Sequence, residues 1–203
     1  MPIDEEKRTT LRKFAAVGAG SPLLGLADRD REGSDSDARD AILGFVETTP
    51  GAHFSKIRDD LSLATGETQY HLRRLTANGD CEVRRDGDYK RYFPAGQFSP
   101  FEQLALGYLR RKTPRAMLLA VLEKPNQTGT SLAEQVGVSP ATISTFGSKM
   151  ADSGLFDREN GYRVERPEAI ISLVLRYATT FDEETRRFAN EATSLFNYDP
   201  TPN

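Results

Sequence analysis

Ala38, Ala41, Ile42, Phe45 and Val46 recur at i, i+3, i+4, i+7 and i+8, the spacing that gives an α-helix one apolar face. Pro50-Gly51 ends that helix. A short second helix follows with Phe54, Ile57 and Leu61 inward, then a turn at Ser62 to Thr65. The spacing predicts a third helix over roughly Gly66 to Ala77, with Thr68, Leu72 and Leu75 on the core face and Gly79 at its end. Cys81 to Arg85 and Asp88 to Phe93 then read as strands around Asp86-Gly87, a strong hairpin turn signal. Cys81, Val83 and Tyr92 share one hairpin face, which is expected to pack on the core.

The same pattern returns 75 residues later. Ile57, Leu61 and Leu63 fall on Leu132, Val136 and Val138, and Thr68, Leu72 and Leu75 on Ile143, Gly147 and Met150. Pro50 falls on Pro125 and Gly79 on Gly154. A repeat used twice reads as a duplicated domain rather than a solenoid. In the second copy Thr113 reads as N-cap with Pro114 at the first helical position, and the helix runs to Leu122. A second helix spans about Ser131 to Val136, Ser139-Pro140 starts a third, and Asn160-Gly161 marks a shorter hairpin. Three helices and a hairpin is the winged helix-turn-helix order. The expected fold is mainly α with small β-wings: two tandem winged helix-turn-helix domains plus N-terminal and C-terminal helices. The boundaries are 1–36 for an N-terminal helix and linker, 37–98 for the first domain, 99–166 for a connecting helix (Pro100 to Lys112) and the second domain, and 167–203 for C-terminal helices.

Charge changes this picture only locally. The 203 residues carry a net charge of −3, which argues against a uniformly basic nucleic-acid coat but not against a basic patch. The single cysteine, Cys81, rules out an internal disulfide. With His53 and His71 the only histidines, no metal site is expected, and no cofactor or catalytic motif stands out, so the chain does not read as an enzyme. Cys81 and His71 read as core residues; redox sensing would need an exposed thiolate. Lys7, Arg8, Arg12 and Lys13 precede an apolar stretch from Phe14 to Ala27 that faintly resembles an export signal but is too short and Gly-rich to span a membrane. Leu11, Phe14 and Ala15 instead form a stripe, which predicts a retained helix from Asp4 to Val17 in a cytoplasmic protein. Arg29 to Asp37 is polar and reads as a linker.

The segment Thr65-Gly66-Glu67-Thr68-Gln69-Tyr70-His71-Leu72-Arg73-Arg74-Leu75 resembles the recognition helix of ArsR/MarR-type regulators, and Ser139-Pro140-Ala141-Thr142-Ile143-Ser144 resembles another. With the downstream Arg91-Tyr92-Phe93-Pro94, the tandem arrangement over Asp37 to Tyr177 is similar to haloarchaeal double winged-helix transcriptional regulators. The resemblance implies double-stranded DNA as partner. The residues themselves support it. Gln69, Tyr70, Arg73 and Arg74 lie opposite the core face of the third helix, and Arg and Gln are suited to guanine and adenine edges. Arg84, Arg85, Lys90 and Arg91 surround the wing tip, where they would grip the backbone.

In the second copy the outward positions are Ser144, Thr145, Ser148 and Lys149. Ser139 to Glu165 holds three bases against four acids, whereas Thr65 to Phe93 holds six against five. Phosphate contacts dominate affinity, so the second copy is expected to bind DNA weakly or to act as a spacer and dimer platform. Phe181, Phe188, Ala192, Leu195 and Phe196 recur near helical spacing. Two readings stay open for them: a homodimer surface, or packing onto Ile170, Leu173, Val174 and Tyr177. The competing functional reading is a winged-helix protein-interaction scaffold, since fold does not fix function.

Overall fold

The computed structural model describes residues 9, 13 and 32–195. Apart from Thr9 and Lys13, the helix expected over Asp4 to Val17 lies outside the described residues. The chain divides into two compact units, Met1–Gln103 and Leu104–Asn203. It is mainly helical with small antiparallel sheets.

In the first unit α1 spans Glu32–Thr48, so it begins inside the stretch read as a linker. Its stripe of Ala38, Ala41, Ile42, Phe45 and Val46 is buried, and a helix nucleated on packed residues extends backward at little cost. Thr48 Oγ1 bonds back to the carbonyls of Gly44 and Phe45, and Gly51 turns the chain with φ +81°. Strand β1 (Ala52–His53) leads into α2 (Phe54–Asp60), then α3 (Thr65–Ala77). Strands β2 (Cys81–Asp86) and β3 (Tyr89–Pro94) pair antiparallel, and β1 joins the far edge of β3 to give the order β1-β3-β2. A two-residue strand carries no periodicity, which is why β1 was not legible in the sequence. Asp86 pairs with Tyr89, so the two-residue loop is Gly87-Asp88, one position later than expected. Gly87 has φ +61°, while Asp88 keeps a negative φ, so only the first loop position needs glycine. The core joins Ile42, Phe45, Ile57, Leu61, Leu72, Leu75, Cys81 and Tyr92. Val83 departs from the expectation. Although it alternates with Cys81 and lies opposite the buried Tyr92, it is 37 % exposed, because β2 is an edge strand of the sheet and β3 the central one.

Helix α4 (Pro100–Leu109) begins in the first unit. The division falls later than Phe98 because the segment after β3 is bonded to the hairpin. Glu82 accepts from Gly96 N–H at 2.8 Å and from Gln103 Nε2 at 2.6 Å, and Phe98 packs on Phe93.

The second unit continues with α5 (Lys112–Glu123), α6 (Gly129–Val136), α7 (Pro140–Asp152), strands β4 (Phe156–Asp157) and β5 (Arg163–Val164), α8 (Pro167–Tyr177), a 3₁₀ turn (Ala178–Thr180) and α9 (Glu183–Leu195). Arg111, not Thr113, is the N-cap of α5, so Pro114 falls at the third helical position. Thr128 and Ser139 cap α6 and α7 with their hydroxyls. Several special positions of the first unit return 75 residues on. Gly51 and Asn126 both have positive φ, and their N–H groups donate to Tyr92 O and Tyr162 O at 2.8 Å. Ala52 pairs with Tyr92, and Gln127 with Tyr162. Ser62 (φ 53°) answers to Gly137 (φ 73°), and Gly79 to Gly154.

The open question about α9 is settled for part of the stripe. Phe188 and Ala192 are buried within the unit, and α9 packs on α8. Phe181 lies under the guanidinium groups of Arg110 at 4.5 Å and Arg115 at 5.4 Å. Arg115 is also paired with Asp182 and donates to Leu109 O at 2.7 Å. The side chains of Leu195 and Phe196 lie outside the described residues. An amphipathic helix that has found an apolar face in its own unit is not a ready dimer surface, so Phe188 and Ala192 are corrected to core residues.

Candidate nucleic-acid interface

Helix α3 buries Thr68, His71, Leu72 and Leu75, which leaves Gln69, Tyr70, Arg73 and Arg74 exposed on the opposite side. At about 100° per residue, Arg73 and Tyr70 lie within roughly 30° of the helix's outermost line, and Gln69 and Arg74 roughly 70° to either side. These four residues differ in how they are held. Arg74 Nη1 donates to Tyr70 Oη at 2.8 Å, and its guanidinium lies 5.4 Å from the Tyr70 ring centre. The Tyr70 ring meets the buried His71 edge-on at 5.1 Å. Tyr70 is 49 % exposed yet braced on both sides. Among the described residues, the side chains of Gln69 and Arg73 have no protein partner, which leaves their hydrogen-bonding groups available to a ligand.

The hairpin register sorts its four bases into two kinds. Directly opposed residues in an antiparallel pair share a face. Cys81, Val83 and Arg85 therefore point the same way as Pro94, Tyr92 and Lys90. That face packs on the helices at its base through Cys81 and Tyr92, and its outer end presents Arg85 and Lys90 directly opposite each other. Both are exposed, and neither has an anionic partner among the described residues. Like charges placed side by side destabilise a hairpin unless an anion sits between them.

Arg84 and Arg91 lie on the other face and are occupied. Arg84 donates to Pro100 O at 2.9 Å. Arg91 is only 2 % exposed; it is ion-paired with Asp86 and donates to Gly51 O at 2.9 Å. The expectation that all four bases surround the tip is thus corrected. Alternation sends Arg84 and Arg91 away from Arg85 and Lys90, and β1 buries Arg91.

In the second unit the outward residues of α7 are Ser144, Thr145 and Lys149, with Ser148 half-buried. Its bases are largely engaged. Arg163 bonds Asp157 across the two strands at 2.6 Å, and Arg158 donates to Ser148 Oγ at 2.8 Å and lies over the Tyr162 ring. The Glu159 N–H and then Arg163 hold the Asp157 carboxyl below its usual range.

Cys81 is buried, and burial, helped by Asp80 and Glu47, pushes its thiol up to about 12. A thiol so held is inert toward oxidants at neutral pH. Among the described residues there is no group of three or more His, Cys, Asp or Glu residues that could hold a metal ion. No helix among them is long and apolar enough to cross a membrane.

A helix packed behind a short helix and a turn, with one exposed polar face beside a hairpin, is the arrangement that helix-turn-helix proteins share. Residues 36–106 match the family model described as an N-terminal HTH domain. The match takes in α1 through the first turns of α4, including every element just described in the first unit. No curated protein matches the chain. The matched segment holds Gln69, Tyr70, Arg73, Arg74, Arg85 and Lys90 as candidate contact residues, and the second unit lies largely outside the match.

Proposed function

We propose that this protein is a sequence-specific, double-stranded-DNA-binding transcriptional regulator of the haloarchaeal tandem winged-helix kind, similar to ArsR and MarR regulators, acting in the cytoplasm. Helix α3 of the HTH domain enters the major groove and the β2–β3 hairpin acts as the wing. The observation that carries the reading is the Arg85–Lys90 pair: two opposed, exposed cations with no carboxylate partner among the described residues, on the face of the hairpin that packs against the helices. A phosphate between them relieves their repulsion and fixes the register of the helix on the duplex. Arg73 then reads a base edge, with guanine its best match, and Gln69 can serve adenine. No reaction or cofactor is assigned.

The second unit is read as a second winged helix-turn-helix. The matching turns 75 residues apart and the Gln127–Tyr162 bridge support this reading. Its face of Ser144, Thr145, Ser148 and Lys149 contributes little affinity, because Arg158 and Arg163 are engaged within the unit. The protein is further read as a homodimer on two half-sites about 10 bp apart or a multiple of that. Sedimentation of the full chain with and without duplex tests this reading, and a monomer in both overturns it.

Fluorescence anisotropy of the full chain on duplex DNA, titrated with salt, tests the central reading. Affinity is expected to fall steeply with salt. Replacing Arg85 and Lys90 together by Ala should reduce the log–log slope by about two units, close to one per phosphate contact. Arg73→Ala should cost about 1–3 kcal/mol on a selected site and little on mixed sequence. Salt-independent binding, or an unchanged slope in the double variant, overturns the proposal.

A further inference from the structure

The first turn of α3 is built against local helix preference, and nothing in the fold explains it. Its N-cap position is Ala64, which has no side-chain oxygen to offer; among the described residues the only side-chain help is Glu67 accepting from Ala64 N–H at 3.3 Å. Next but one stands Gly66, which weakens a helix relative to alanine. Glycine is required where φ is positive or where a Cβ would clash. Gly66 meets neither condition, since its φ is not positive and, among the described residues, a Cβ built there has nothing within 4 Å. One repeat later the same positions are Ser139, Pro140 and Ala141: a hydroxyl cap that accepts from Thr142 N–H, a proline suited to the first turn, and the best helix former. The chain thus has a better solution for this turn and does not use it in the first unit.

The position of Gly66 on the helix points to the reason. It lies on the outermost line of α3, within about 10° of the direction opposite the buried residues at 100° per residue. Tyr70 and Arg73 flank the same line one and two turns further on. A side chain at Gly66 would therefore be the first atom of the helix's leading end to meet anything approaching that face.

We propose that Gly66 is a close-approach position of the DNA-reading face: its missing side chain lets the backbone of the first turn of α3 lie directly against the duplex, which sets the depth at which Gln69 and Arg73 reach the base edges. The proposal rests on the DNA-binding reading above. Local stability is sacrificed at the point where a ligand requires the space, the pattern expected when a local rule is broken at a functional position.

The test needs two readouts on the full chain, because the proposal sets them against each other. Gly66→Ala should raise the melting temperature by a few degrees, since the methyl enters open space and favours the helix. The same variant should weaken binding to a duplex selected from a randomised pool by the unsubstituted chain, by about tenfold, comparable to losing one base contact. Gly66→Leu should weaken it further. As a control, Ala64→Ser should also stabilise the helix while leaving affinity unchanged, which separates steric exclusion from stiffening of the turn. If Gly66→Ala binds as tightly as the unsubstituted chain, or melts lower, the close-approach role is overturned and the DNA-binding reading stands. If the unsubstituted chain fails to bind duplex DNA at any salt, both are overturned.

Discussion

Helices α3 and α7 start 75 residues apart, at Thr65 and Pro140, and are made of different materials. Helix α3 starts with an uncapped Ala64 and Gly66 and then exposes Gln69, Tyr70, Arg73 and Arg74. Helix α7 starts with Ser139, Pro140 and Ala141 and exposes Ser144, Thr145 and Lys149. The hairpins differ in the same sense. Strands β2 and β3 run six residues each and carry near their tip an Arg85–Lys90 pair with no anionic partner among the described residues, whereas β4 and β5 run two each and close with the Asp157–Arg163 ion pair. Even the turn before the third helix follows this rule. The left-handed residue is Gly137 in the second unit but Ser62 in the first, where a Cβ makes that conformation costly. The two stretches thus differ in one sense: around α7 the charges and caps are largely satisfied internally, and around α3 several are left open. Unsatisfied groups cost stability, so the open stretch points to where an external partner is expected.

The sharpest break in this comparison lies between two ion pairs. Arg91 and Asp86 are paired where the arginine side chain is 3 % exposed, and the same guanidinium holds Gly51 O. Arg91→Ala removes the guanidinium from a largely buried carboxylate, Asp86, and from the buried Gly51 carbonyl. It should cost about 3 kcal/mol, and the melting temperature of the first unit should fall on the order of 10 °C. In the second unit Arg163 is 60 % exposed, and Arg163→Ala should leave thermal unfolding unchanged within error. Differential scanning calorimetry of both variants checks the pair. Equal losses would mean that the two hairpins are held in the same way.

A smaller effect concerns glycine. Leu72 of α3 answers to Gly147 of α7, and the space is filled in the second unit by the ring of Tyr162. A Cβ on Gly147 would stand 2.6 Å from Tyr162 Cε1 and Oη, and Tyr162 is itself buried against Phe156. Gly147→Ala should therefore destabilise by about 1–2 kcal/mol despite alanine's better helix propensity, because overpacking a closed site outweighs it. Tyr162→Leu in the same chain should recover part of the loss. Since Gly66→Ala is expected to stabilise, the two glycine substitutions should move the melting temperature in opposite directions. A Gly147→Ala protein that melts higher than the unsubstituted chain would show that Tyr162 does not fill this site.

Much of this was legible in the sequence, because helical periodicity over Ala38 to Val46 and Thr68 to Leu75 survives burial unchanged. The exposed set on α3 follows from the same periodicity. What was not legible depends on pairing at a distance. Arg91 looks like Arg85 in the sequence, and only the β1–β3 register and the carbonyl of Gly51 bury it. Val83 alternates correctly with Cys81 but stands on the edge strand β2, while its partner Tyr92 on the central strand is buried. Phe188 and Ala192 have the spacing of either a dimer seam or a packed helix, and only the neighbouring α8 decides between them. Gly66 stood in plain view, and its signal was the alanine one repeat later.

The smallest effect expected is a difference in pH response between the two caps at the start of the second helix. In the second unit Thr128 caps α6 with a hydroxyl that does not titrate. The matching residue of the first unit is His53, whose Nδ1 accepts from Lys56 N–H at 3.2 Å and caps α2. Burial first, then Arg91 and Lys56, hold the His53 imidazole below its usual value, with Asp59 and Asp60 opposing. Its ring also lies 5.4 Å from that of Tyr89. Only the neutral ring has an acceptor at Nδ1, so protonation removes the cap. Because the folded-state pKa lies below the unfolded value of 6.5, the unfolded chain binds more protons between the two. The contribution is therefore fully present above pH 6.5 and is lost as the pH falls through the folded-state pKa. The loss should amount to about 1 kcal/mol, the usual worth of a cap. His53→Thr, which copies the second unit, should flatten the melting temperature of the first unit between pH 7 and 5.5, whereas Thr128→Ala should lower stability equally across that range. If the unsubstituted chain and His53→Thr show the same slope in this window, the cap does not titrate and the two units are alike in this respect.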